Sequence, residues 1–134
     1  INMKVKKITV TTNDNRGSIT DIIERFNFNG ATIIESKKGS IRGNHYHKRT
    51  VQFIYVLHGK MRSLSKKVNE HLVEVIVEPG DLISHEAYEA HNFEAITDTL
   101  FLVLSSGLRS GQDYEEDTFR LNVPINEFSE NDIS

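Results

Sequence analysis

Apolar and β-branched residues fall along the chain in short runs: Ile8 to Thr11, Ala31 to Glu35, Gln52 to Leu57, Leu72 to Val77 and Thr99 to Leu104. Each is rich in Val, Ile, Phe, Tyr or Thr, residues that fit a pleated surface, and each predicts a strand. Glycines at Gly17, Gly30, Gly39, Gly43, Gly59 and Gly80 separate the runs, and prolines are confined to Pro79 and Pro124. That rhythm predicts an all-β sandwich or barrel. One stretch departs from it. Ile19, Ile22, Ile23 and Phe26 follow i, i+3, i+4, i+7, and Ser18 stands three residues before Asp21, so periodicity alone predicts a short helix. The run from Gln52 is apolar on both faces, with Ile54 and Val56 on one and Phe53, Tyr55 and Leu57 on the other. One face suits a core. The other requires a second sheet of the same chain or a second subunit, which leaves an internal contact and a homodimer equally open. The last segment, 126–134, sets Glu127, Glu130 and Asp132 around Phe128 and Ile133 without a period, and is expected to be a mobile tail beyond a single domain at 1–125.

Composition narrows the class. A chain of 134 residues has room for one hydrophobic core and no second catalytic module. Its longest apolar run, Leu100 to Leu104, is far too short for a bilayer-spanning helix. A net charge of −3 argues against a nucleic-acid platform or an anionic-membrane binder. Cysteine is absent, which excludes disulfides and thiolate chemistry. Without an apolar leader at the N-terminus, a cytoplasmic location is expected.

Against that background the six histidines are unevenly placed. His45 and His47 are separated by one residue, so on an extended strand both imidazoles leave the same face and can converge on one ion. Residues 48–50 suffice for a turn, after which Gln52 opens the next strand. His91 follows the loop that begins at Pro79 and Gly80 and can return to the same pocket. Neutral imidazoles completed by an amide or water suit Fe, Mn, Co, Ni, Cu or Zn better than Mg or Ca. An isolated HxH is more often just a polar strand end. His58 and His71 are expected in solvent, His85 on the surface or at a pocket mouth. Lys60, Arg62, Lys66 and Lys67 form a solvated strand face, and Arg109 a surface turn.

The residues around the histidines change the odds. Gly39-Ser-Ile-Arg-Gly-Asn-His45-Tyr-His47-Lys-Arg-Thr-Val-Gln52-Phe-Ile-Tyr-Val-Leu-His-Gly59 resembles the first cupin motif, G-x5-H-x-H-x3–4-E-x6-G, with every spacing kept and Gln52 in place of the usual glutamate. The second motif, G-x5-P-x-G-x2-H-x3-N, is half kept: Gly80 and His91 match, whereas Glu86, Tyr88 and Ala95 replace proline, glycine and asparagine. The resemblance implies a double-stranded β-helix, or jelly roll, usually dimeric, with the region after Ile19 extended rather than helical. Within the cupins, Asp14 to Ile19, Arg42 to Lys48 and Asp113 to Asp117 resemble the nucleotide-sugar branch of dehydrorhamnose epimerases and dTDP-sugar ketoisomerases. Ketoisomerases carry RGxHAHK followed by a glutamine, close to Arg42-Gly43-Asn44-His45-Tyr46-His47-Lys48 with Gln52. RGNHYH also resembles the cupin domains of capsule-synthesis reductases.

Such enzymes move a proton beside a ketone, which requires a base near neutrality and a group to hold the enolate charge. By analogy His45 or His47 is the base or acid, and Tyr55 a candidate proton donor, since strand parity turns Tyr46 away. Arg42, Asn44, Lys48 and Arg16 are the expected substrate-binding residues, the arginines well shaped for a diphosphate. A metal reading uses His45, His47, Gln52 and His91, with Zn, Ni, Fe, Mn or Co as the ion. The expected activity is a sugar isomerase or epimerase acting on a nucleotide-linked keto-sugar in surface-polysaccharide synthesis. A non-catalytic metal- or ligand-binding cupin and a metal-dependent oxygenase are the alternatives.

Overall fold

The computed structural model describes residues 5–107 and 111–134. Twelve strands alternate with short turns: β1 (Val5–Lys7), β2 (Thr12–Asp14), β3 (Gly17–Ile19), β4 (Gly30–Ser36), β5 (Ile41–Tyr46), β6 (Gln52–His58), β7 (Met61–Lys67), β8 (Val73–Val77), β9 (Asp81–His85), β10 (Glu89–Ala95), β11 (Thr99–Ser105) and β12 (Phe119–Arg120). A single α-helix among the described residues, α1 (Gly111–Glu116), precedes β12. Two five-stranded antiparallel sheets, ordered β1-β9-β6-β11-β4 and β12-β5-β10-β7-β8, face each other, and β2 and β3 form a separate hairpin. This is the expected jelly roll. Four of the five predicted strands coincide with β4, β6, β8 and β11; the run at Ile8 lies instead in the link between β1 and β2.

The strands alternate as a half-buried sheet requires. In β6, Ile54 and Val56 point inward; with Met61, Val77, Ile83, Phe93, Phe101 and Val103 they fill one end of the space between the sheets. The outer face of β6 is covered in part by its own chain, for Phe26 sets its ring edge-on to Phe53 at 4.5 Å. That contact explains the misleading helical period. Residues 20–29 form no helix: the Asp21 N–H donates to the Thr11 hydroxyl, Arg25 takes a left-handed φ of 58°, and Ile22, Ile23 and Phe26 are half-buried along the sheet. Spaced apolar residues laid over a sheet face can imitate a helix stripe.

The C-terminal segment is likewise docked, correcting the expectation of a mobile tail beyond residue 125. Phe128 is 0% exposed and packs with Tyr46, Ala90 and Ile125 in a second cluster on the outer side of the β5–β10 sheet. Ser129 and Asp132 close a capping box around the 3-10 turn Glu130–Asp132. Among the described residues no helix is long and apolar enough to cross a membrane.

Candidate active site

The open end of the barrel is built on a distortion in β5. Opposite β10, His45 pairs with His91, Gly43 with Asn92 and Arg42 with Phe93, so Asn44 is an extra residue inserted into one strand. Gly43 and Asn44 both have positive φ, 103° and 58°. Only glycine fits the first position, because a Cβ on Gly43 would lie 2.8 Å from the His91 carbonyl oxygen. The insertion has a chemical consequence. In a regular strand Arg42 and His45 would project to opposite faces; the bulge reverses parity between them and both line one cavity.

That cavity has a volume of about 300 Å³. Its floor is apolar, formed by Ile54, Phe93, Phe101 and Val103, and its polar wall carries Arg42, His45, Gln52, His91, Tyr114 and Arg120. His47 lies just behind the wall, 2% exposed. Its ring centre is 4.8 Å from that of His45 and 5.4 Å from that of His91. The ligand atoms of His45, His47 and His91 all lie within 4.8 Å of one another.

Hydrogen bonds define two of these rings chemically. His47 Nδ1 lies 2.8 Å from the Asp117 carbonyl oxygen, and His91 Nδ1 lies 2.9 Å from that of Glu89. A carbonyl only accepts, so Nδ1 carries the proton in both and the lone pair of the neutral ring sits on Nε2. Histidines that ligate metals are oriented in this way, so the donor set fits a divalent transition ion, with Gln52 on the same wall. The Asp117 carboxyl is pushed up by burial but pulled further down by hydrogen bonds from the Thr50 hydroxyl and the N–H groups of Lys48, Arg49 and Thr50, ending below its ordinary 3.8.

Not every expected residue reaches the cavity. Tyr55 is on the outer face of β6, opposite Leu82 and Leu102, because its parity is that of Phe53 rather than Ile54. It has no place in the site. Asn44 faces out from the bulge and accepts from the Asn92 side-chain amide at 2.8 Å. Lys48 turns to the C-terminus, its ammonium hydrogen-bonded to the Ser134 carbonyl and 4.5 Å from the centre of the Phe119 ring. Arg16 is on the exposed β2–β3 hairpin, paired with Asp14 at 2.8 Å. Arg42 does reach the wall, held by Nε donating to the Ser36 hydroxyl and Nη2 to the Glu35 carbonyl. Tyr46 faces away from the histidines, as parity requires, and packs among Tyr88, Phe119 and Phe128.

Other residues enter that sequence reasoning left aside. His85 is 1% exposed, not at the surface, and stacks in parallel on His91 with ring centres 4.3 Å apart. Its inward parity in β9, shared with Ile83, was the available signal. Arg120 reaches the wall through β12, where it pairs with His45. Tyr114 comes from α1, its ring centre 6.4 Å from His45 and 5.8 Å from His47. Nothing in local periodicity announces either, although Tyr114 lies in the Asp113 to Asp117 stretch that carries part of the resemblance. His58 and His71 are exposed as expected. Arg62 and Lys67, expected as solvated cations, are paired, Arg62 with Glu74 and Glu94 and Lys67 with Glu86. The expectation for Arg109 lies outside the described residues.

Fold and site together define a domain of the cupin fold whose histidines converge in the barrel mouth. More particularly, residues 12–119 match the polysaccharide biosynthesis C-terminal domain family, and the chain belongs to it. Among solved structures it is similar to the capsular polysaccharide assembling protein CapF from Staphylococcus aureus, at 25% identity and TM-score 0.61, over 87% of this chain. The chain spans only 34% of the length of CapF. It is also similar to a form of the 3,4-ketoisomerase QdtA from Thermoanaerobacterium thermosaccharolyticum in complex with TDP-4-keto-6-deoxyglucose, at 20% identity and TM-score 0.71, over 90% of each chain. A third is the dTDP-6-deoxy-D-glucose-3,5-epimerase RmlC from Legionella pneumophila, at 16% identity and TM-score 0.70, covering 94% of this chain and 80% of that one. Comparison with functionally curated proteins returns no significant match.

Proposed function

We propose that the chain is a sugar isomerase or epimerase acting on a nucleotide-linked keto-sugar in surface-polysaccharide synthesis. The observation that carries this reading is one wall on which imidazoles, His45 and His91, stand beside two guanidinium groups, Arg42 and Arg120. Family membership and the similar ketoisomerase and epimerase structures support it. A cavity of about 300 Å³ is at the small end for ligand sites. It suits the sugar ring, with the diphosphate across the mouth against Arg42 and Arg120, whose planar forks match phosphate oxygens.

In this reading His45, the least buried of the three clustered histidines, takes the proton from the carbon beside the ketone. The released electron pair forms the enediolate double bond. In an isomerisation a proton is delivered to the former carbonyl carbon while another passes between the two oxygens, and the ketone moves by one position. In an epimerisation the proton returns to the same carbon from the opposite face. As neutral rings His47 and His91 carry their lone pairs at Nε2 and accept there rather than donate. The enolate charge thus falls to the Tyr114 hydroxyl or to the arginines; in the competing arrangement an ion held by the three histidines with Gln52 would take it, and His45, its lone pair on the ion, would no longer be the base. Such an ion would act as a Lewis acid on the enolate oxygen.

Binding tests the reading directly. TDP should raise the melting temperature, and Arg42→Ala and Arg120→Ala should each diminish the shift. Absence of a shift with TDP, UDP or their sugars would overturn it in favour of the non-catalytic cupin. The metal is tested separately: close to one equivalent of Zn, Ni, Fe, Mn or Co per chain is expected after purification, lost in His91→Ala. A metal-free protein under supplementation would leave pure acid–base chemistry. The same reading includes a homodimer, with Ile33 and Leu57, exposed on the outer face of the first sheet, as its contact; a monomeric mass in solution would exclude it.

A further inference from the structure

His47 is held from more directions than a strand end requires. Tyr88 donates its N–H to the His47 carbonyl at 2.6 Å. The His47 ring donates from Nδ1 to the carbonyl of Asp117. The carboxylate of the same Asp117, in a residue 4% exposed, then accepts from the three residues that follow His47. These bonds come from the N–H of Lys48 at 3.0 Å, of Arg49 at 3.2 Å, of Thr50 at 2.9 Å, and from the Thr50 hydroxyl at 2.7 Å. Asp117 is also tied to the turn that carries Tyr114, its own N–H donating to the Tyr114 carbonyl at 3.2 Å. The Arg49 guanidinium, 73% exposed and 3.7 Å away, adds little.

We propose that Asp117 is a positioning residue of the site. Its carboxylate fastens the 48–50 turn, which holds its own carbonyl against the His47 ring, which in turn fixes His47 as the Nδ1–H tautomer with its lone pair on Nε2, towards His45 and His91. Without the carboxylate the ring would be able to exchange its proton between the two nitrogens and to rotate. The residue therefore acts through His47, never on substrate. Carriage of Tyr114 on the same anchor means that the helix side and the strand side of the cavity are set by one side chain.

The inference rests on His47 belonging to the working site proposed above, but its test does not need the sugar. In the 15N-labelled full chain, long-range proton–nitrogen spectra should show His47 with a pyrrole-type Nδ1 and a pyridine-type Nε2, its signals assigned by their loss in His47→Asn. Asp117→Asn should move both nitrogens towards averaged values, and Thr50→Val, which removes one of the four bonds, should move them less in the same direction. Should Asp117→Asn fail to fold, the native tautomer and Thr50→Val decide. A native His47 protonated at Nε2, or a folded Asp117→Asn with unchanged nitrogens, would overturn the proposal. Turnover of TDP-4-keto-6-deoxyglucose should fall about 10- to 100-fold in Asp117→Asn with KM little changed, as for other groups that orient a working histidine. If the native protein shows the expected tautomer but no turnover, the sugar reading fails and the positioning role stands.

Discussion

Replacing Gly43 by alanine isolates the device that brings Arg42 and His45 to one wall. Two costs can be worked from the structure. A side chain at φ 103° carries a strain of about 1–2 kcal/mol. The new methyl would also sit 2.8 Å from the His91 carbonyl oxygen and 3.0 Å from the Asn92 Cα, both backbone atoms of a strand paired on its other side to β7. β10 cannot step aside, so β5 must part from it, with one or two ladder hydrogen bonds lost at about 1 kcal/mol each. The sum is about 2–4 kcal/mol, or roughly 8–16 °C in melting temperature for a domain of this size. Gly39→Ala is the internal control, because its φ of 87° carries strain while a Cβ there meets nothing within 4 Å. Thermal melts of the two variants beside the native chain should place Gly43→Ala clearly below Gly39→Ala, and only Gly43→Ala should lose the TDP-induced shift. Equal melting temperatures would refute the claim that close approach at the bulge, rather than backbone conformation alone, demands glycine.

Phe128→Ala should destabilise the domain by about 3–5 kcal/mol in urea unfolding, since the ring is fully buried against Tyr46; a change under 1 kcal/mol would mean the tail is not docked. Tyr55→Phe should leave turnover unchanged, because that side chain lies on the far face of β6 from the cavity. The depressed Asp117 carboxyl contributes stability that is fully present above an unfolded value near 3.8 and fades as pH falls through its lower folded value. Urea midpoints should therefore drop between pH 5 and 2 more steeply for the native chain than for Asp117→Asn, which starts lower at neutral pH.

Much of this architecture is legible in residue order, because strand alternation and the spacing of His45, His47 and His91 are local quantities. Of the two glycines that matter most, the first cupin motif places Gly59 at its end, where a Cβ would strike the Asp98 carbonyl, and the RGxHAHK pattern places Gly43. Parity is where local reading fails. Tyr55 follows its strand faithfully and is lost to the site, whereas Arg42 belongs to it only because Asn44 is an extra residue, and a bulge is a property of two strands together. The same limit hid Arg120, and it hid the roles of Tyr114 and Asp117 although the resemblance had drawn attention to the stretch that carries them; all three are brought to the cavity by tertiary contacts. The degraded second motif misleads in another way. Tyr88 stands where the motif has glycine yet keeps a left-handed φ of 63°, so the turn that presents His91 survives although its residue changed. At Ile22 and Phe26 the helical period was real, but the contact it served was a sheet, and at Phe128 one buried ring outweighed an otherwise featureless acidic tail.

The central claim is that His45 moves a proton beside the ketone of a nucleotide-linked sugar. Incubation of the chain with TDP-4-keto-6-deoxyglucose in deuterated water, followed by NMR of the sugar protons, measures that step without presuming the product. The account predicts deuterium at a carbon adjacent to the ketone, appearing with native protein and abolished in His45→Asn that remains folded and still binds TDP. Exchange that persists unchanged in His45→Asn, or a protein that binds the sugar nucleotide but never exchanges its protons, would contradict it.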